Sequence, residues 1–136
     1  MLYSLLLQDS IAFRAIVPAS SAAGEPVAFG LRLTNRTERP LALPLVGQPP
    51  VFDIAVSRDD GTVVWRRPAE GTNRTEWWTR TLEPAETLAF DVTWDCREAG
   101  GPVAPPGVYR VTGSLPTGGA EDLVTLPATL RLVPAR

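Results

Sequence analysis

Three carboxylates, Asp91, Asp95 and Glu98, come nearest in this 136-residue chain to a spacing that could do acid–base chemistry. Glycosidic cleavage uses two such groups flanking one bond, at most ~9.5 Å apart. On a strand, Asp91 and Asp95 share a face but stand about 13 Å apart at ~3.3 Å per residue. Surface charge explains them better. Asp59-Asp60 and Glu121-Asp122 could begin a calcium site, which needs about six or more converging oxygens. No Asp-x-Asp-x-Asp-Gly pattern supplies them. Turn chemistry accounts for the first pair and a solvated loop for the second. Cys96 is the single cysteine, so neither an internal disulfide nor a thiolate cluster can form. The chain has no histidine to activate that thiol, and all 13 basic residues are arginine, so no lysine is present for a Schiff base. The reading is no catalytic residue, no metal site and no cofactor.

Residues suited to binding are easier to find. Trp77-Trp78, beside Asn73 and Arg74, could stack on a sugar or anchor a protein contact. Consecutive strand side chains point to opposite faces, so the two rings cannot make one platform. One in the core and one on the surface is the plainer expectation. Pro68–Arg80 is long, polar and tryptophan-bearing, a candidate contact loop. Pro44-Leu-Val-Gly-Gln-Pro49-Pro50 and Gly100–Gly107 are proline-rich; such stiff loops lose little entropy on binding, although ordinary connections explain them equally well. The binding candidates are therefore Pro44, Gln48, Pro49, Pro50, Arg74, Trp77 and Trp78.

Charge narrows the partners. Thirteen basic against fifteen acidic residues leave a net charge of -2, too even for nucleic acid or an anionic membrane. Met1–Leu7 is apolar but lacks a preceding basic residue and is too short for a secretory signal. No run approaches the ~20 apolar residues of a membrane span. A cytoplasmic protein, without disulfides, is expected. Arginine, alanine and proline without lysine suit a GC-rich bacterial genome, in which the Asn-Arg-Thr triplets at Asn35 and Asn73 are chance.

The elements that must position these residues announce themselves by alternation, the mark of half-buried strands. Pro26–Asn35 sets Val27, Phe29, Leu31 and Leu33 on one face. Thr87–Asp95 sets Leu88, Phe90, Val92 and Trp94 together. Val108–Leu115 does the same with Tyr109, Val111 and Leu115. Tyr3 to Val17 keeps one parity except at Asp9, which predicts two strand pieces with a bend near Asp9-Ser10. Val51–Ser57 and Thr62–Arg67 flank Arg58-Asp59-Asp60-Gly61, where Asp-Gly supplies the positive φ angles of a tight hairpin. Trp65, just after it, is expected in the core. Pro127 within Leu123–Val133 predicts a sheet edge or a bulge. Fourteen prolines forbid a long helix. One domain over 1–136 follows, an all-β, immunoglobulin-like sandwich of about seven to nine strands.

The order of these pieces resembles the intracellular proteinase inhibitor (BsuPI) domain family. Phe29-Gly-Leu31-Arg-Leu33-Thr-Asn35 resembles its strand ending in asparagine. Gly47-Gln48 with Phe52-Asp53-Ile54-Ala-Val56 resembles its glycine-glutamine and aromatic-aspartate strand. Asp60-Gly61-Thr-Val-Val64-Trp65, Leu82-Glu-Pro84-Ala-Glu86 and Pro106-Gly107-Val-Tyr109 follow in turn. The resemblance covers about 27–115. It departs at Pro49-Pro50, which intrude, and at Ala85, which stands where the family usually has glycine.

The resemblance implies a non-enzymatic protein-binding module acting on an intracellular serine proteinase, with no family-wide set of inhibitory residues to carry over. A structural or assembly module of immunoglobulin-like type is the alternative, and a carbohydrate-binding module a more distant one. Oligomeric state is not legible.

Overall fold

The computed structural model describes residues 11–46, 52–67, 77–116 and 123–135. Its strands are β1 (Ile11–Ile16), β2 (Ser20–Ala22), β3 (Val27–Asn35), β4 (Leu41–Val46), β5 (Asp53–Arg58), β6 (Val63–Arg67), β7 (Trp77–Leu82), β8 (Thr87–Trp94), β9 (Gly107–Leu115), β10 (Leu123–Val124) and β11 (Ala128–Val133). Eleven strands among the described residues exceed the expected seven to nine because β2 and β10 are pieces of three and two residues.

One layer has the order β1-β3-β8, and the other β2-β11-β9-β5-β6, with β10 also on β9. β4 and β7 form a separate antiparallel ribbon. Alternation decides which faces meet. Phe29, Leu31 and Leu33 of β3 pack in one cluster with Ile54 and Val56 of β5 and Val111 of β9. Burying each such side chain contributes about 1.5–3 kcal/mol. Trp94, fully buried, lies in ring contact with Phe29, Trp65 and Tyr109 at 6.0–6.3 Å. Trp65 joins the core only from its margin, half-buried. The result is an immunoglobulin-like β-sandwich.

Two side chains fasten strand ends to their loops. The Tyr109 hydroxyl donates to the Pro105 carbonyl at 2.6 Å, a tie from an inner strand to its own entry loop and the geometry of the tyrosine corner of immunoglobulin-like sandwiches. Asn35, buried at the end of β3, donates from Nδ2 to the Arg39 and Leu82 carbonyls, each at 2.8 Å. Its Oδ1 accepts from the Thr37 amide and hydroxyl. One side chain therefore shapes the turn after β3 and fastens the end of β7.

Several expectations need correction. The β5–β6 hairpin turns where Asp-Gly predicts it, but among its residues only Gly61 has positive φ, at 93°. The Gly61 amide donates to the Arg58 carbonyl and the Arg58 amide to Thr62, a three-residue loop of the kind that a left-handed glycine completes. The register then shifts between Val56 and Ser57. Pro127 does interrupt the last strand: Leu123 pairs with Leu115, Ala128 with Val111, and the Thr125 amide and hydroxyl bridge the break to Gly113. Pro44 is not in a loop but in β4, opposite Thr79. A strand with one hydrogen-bonded neighbour tolerates a proline whose missing N–H faces away. Likewise the end of the expected Pro68–Arg80 loop, Trp77 and Trp78 included, is β7. The first expected strand piece, before Ile11, lies outside the described residues.

Candidate functional site: an aromatic groove beside an open strand edge

β8 is where the alternation is incompletely sealed. Its inward residues Leu88, Phe90 and Val92 are only half-buried, whereas Trp94 is fully buried. The cause is topological. β8 closes one side of its sheet, and β7, the strand before it, swings away to pair with β4. A groove of about 420 Å³ is left between them, within the size range of binding clefts.

Its walls come from four strands, β4, β6, β7 and β8, and from the residue leading into a fifth. Phe52, just before β5, and Phe90 of β8 lie with ring centroids 5.2 Å apart. Leu45, Trp78 and Leu88 complete an apolar floor, and Asp91 stands at the rim. Arg67, at the end of β6, holds its guanidinium carbon 3.8 Å over the Phe52 ring and donates to the Phe52 carbonyl, a cation–π arrangement that fixes the charge at the mouth.

Arg80 contributes a second cation. Its Nη2 donates to Glu86 Oε2 at 2.7 Å, while its buried Nε finds no partner among the described residues. The Glu83 amide donates to Glu86 Oε1 at 2.8 Å. That backbone bond first, and Arg80 after it, hold the Glu86 carboxyl below its ordinary range. Asp91 is paired with Arg32 at 3.0 Å. Arg67 forms no ion pair among the described residues. The groove is thus apolar inside and carries one cation at its mouth without a described carboxylate.

The binding candidates read from sequence converge here only in part. Trp78 lines the groove, half-buried and packed on the core. Pro44 precedes the groove residue Leu45 and is itself half-buried. Trp77 pairs with Val46 at the open end of the ribbon. Gln48, Pro49, Pro50 and Arg74 lie outside the described residues. Both proline-rich and tryptophan-bearing segments nevertheless join the described chain at the groove, through Phe52 and Arg67. Sequence reasoning missed Phe52, Phe90, Arg67 and Arg80. Alternation assigned Phe90 to the core, and nothing in a linear pattern marks which strand ends a sheet.

The other chemical candidates serve structure. Asp95 Oδ1 accepts from the Arg97 amide at 3.1 Å, and Glu98 is ion-paired with Arg58 at 2.6 Å. Asp60 Oδ1 caps the hairpin by accepting from the Thr62 amide, which lowers its pKa. Cys96 is fully buried, with the Gly24 amide 3.4 Å from its sulfur.

The family described as BsuPI, intracellular proteinase inhibitor, matches residues 16–119. The chain belongs to that family. Among curated proteins none matches. Of solved structures, the sporulation control protein Spo0M from Bacillus subtilis is similar at 14% identity and TM-score 0.50, over 93% of this chain and 50% of Spo0M. The chain thus corresponds to half of that protein, and the likeness concerns the fold. A CARDB domain from Pyrococcus furiosus, solved with di-metal ions, is similar at 16% identity and TM-score 0.47, over 90% of this chain and 87% of that domain. A β-glucosidase from Erythrobacter marinus is similar at 14% identity and TM-score 0.45, over 91% of this chain but 15% of the enzyme.

Proposed function

We propose that this BsuPI-family chain is a non-enzymatic binding module, one domain over 1–136, that engages an intracellular serine proteinase. The supporting observation is the aromatic groove of Phe52, Phe90, Trp78 and Leu88, whose lining residues Phe52 and Arg67 adjoin the two candidate contact segments in sequence. Buried aromatic anchors ringed by polar groups are how a small area yields tight protein binding. The contact then comprises the groove together with Pro44, Gln48, Pro49, Pro50, Arg74, Trp77 and Trp78. Catalysis is no part of this reading. The chain holds neither histidine nor lysine, and Asp91, Asp95, Glu98 and Asp60 are occupied by ion pairs and turns. The family's description as intracellular supports a place in the cytoplasm.

The test is a titration of a bacterial subtilisin-like proteinase with the purified chain. Hydrolysis of a peptide substrate should fall as the chain is added. Trp78→Ala should weaken inhibition by roughly 10–30-fold while the far-ultraviolet spectrum keeps its β signature. Undiminished hydrolysis at stoichiometric excess overturns the reading.

A further inference from the structure

Four consecutive residues of β8, Leu88, Ala89, Phe90 and Asp91, line the groove. A strand shows alternate residues to each face, so a cavity on a face would meet only every second one. The groove meets residues of both parities, so it reaches the backbone of β8 and not one face alone. One edge of that backbone is open: β8 pairs with β3 over eight residues on one side, and with no strand among the described residues on the other.

Sheet proteins usually blunt such edges with proline, bulges or uncompensated charge. Two other edges here show these devices. β4 carries Pro44, and β6 carries Arg66 and Arg67 while its Val64 carbonyl is taken by the Ala99 amide. β8 has no proline, keeps an unbroken register with β3, and has its one charge, Asp91, neutralised by Arg32.

We infer that the β8 edge accepts an extended peptide segment as an added strand, one apolar side chain entering the Phe52–Phe90–Trp78 groove and a neighbouring carboxylate meeting Arg67. This rests on the reading of this face as protein-binding, and it specifies the occupant. The unpaired backbone calls for an extended partner, the apolar floor for an aromatic or aliphatic side chain, and the Arg67 guanidinium for an acid. A fork of N–H donors takes a carboxylate in two parallel bonds.

The probe is the peptide acetyl-Thr-Leu-Glu-Phe-Thr-Leu-Thr-amide, carrying a fluorophore and titrated by anisotropy against the intact chain. Two further versions are N-methylated at alternate residues, one on the odd set and one on the even set. Only every second amide of an added strand faces the edge. One methylated version should therefore lose about tenfold or more in affinity while the other stays near the parent. Arg67→Glu should weaken the parent peptide by about tenfold and restore binding to a version with Lys in place of Glu. That charge exchange separates recognition from simple loss of packing.

Equal behaviour of the two methylated peptides overturns strand addition, as does absence of parent binding at about 1 mM, a concentration at which even weak association registers. The proteinase titration is read separately. Inhibition without peptide binding removes this inference and leaves the proposed function standing. Peptide binding without inhibition does the reverse.

Discussion

Ala85 sits at φ 66°, in the turn between β7 and β8. Its amide donates to the Asn35 carbonyl, and the Glu86 amide to Glu83, so the turn cannot relax without breaking bonds to β3. A left-handed residue with a Cβ is strained by roughly 1–2 kcal/mol, which glycine avoids. The resemblance to the BsuPI family had already marked this as a position where glycine is usual. Ala85→Gly should stabilise the chain by about 0.5–1 kcal/mol, the relief exceeding the added unfolded-state entropy. Urea unfolding checks it, and a loss of stability would show that the turn is not under strain. Tyr109 gives the opposite case. Burial raises its phenol pKa above 10.0, chiefly because the anion is poorly solvated there. The folded state holds that proton more tightly than the unfolded state. Its contribution is therefore complete below pH 10.0 and fades as pH rises through the raised folded-state value. Tyr109→Phe should cost about 1–2 kcal/mol at pH 7, by removing the donor to Pro105. The gap between the two proteins should narrow in alkali, as unfolding curves at pH 7 and above pH 10 would record.

Elements inherit their behaviour from such residues. β9 pairs with β5, β10 and β11, and its Gly113 leaves room for Leu31 of β3 to fill the space a side chain would take. A Cβ there would collide with both methyl carbons of Leu31, which is fully buried and has nowhere to turn. Gly113→Ala should therefore destabilise by about 1–3 kcal/mol, as overpacked cores do. A thermal melt unchanged from the parent would mean the layers separate more easily than their packing implies. The strands themselves were plain in the sequence, since in β3, β8 and β9 the residues that alternation singles out are the inward ones, fully buried in β3 and β9 and half-buried over most of β8. What alternation hid was pairing. The same pattern suits a strand flanked on both sides and one flanked on one side, so the half-burial of Leu88 and Phe90 was invisible. Pro44 misled for a related reason. A proline-rich run reads as a loop until the strand is known to have a free side.

At the scale of the whole molecule, fold and site differ in how they are encoded. The sandwich rests on many redundant local signals: alternating faces, Asp60-Gly61 at a hairpin, Pro-Gly before Tyr109. Losing any one would leave the class readable. The groove rests instead on where β7 goes after Arg67, which depends on long-range pairing with β4. Linear spacing could find Trp78 but not its neighbours Phe52 and Phe90, which are 38 positions apart in the chain and 5.2 Å apart in space.

β2 and β11 form the one parallel pair among the described strands, Ser20 beside Arg131. During synthesis, β2 must wait for β11, made much later, before its hydrogen bonds can close. Until then the flank of β11's partner-to-be remains unclaimed, and a sheet with so distant a seam assembles slowly. A nascent chain halted anywhere before β11 would display that unmet strand to whatever is nearby, which makes the emergence of β11, more than the collapse of the core, the moment at which this seam becomes safe from its neighbours.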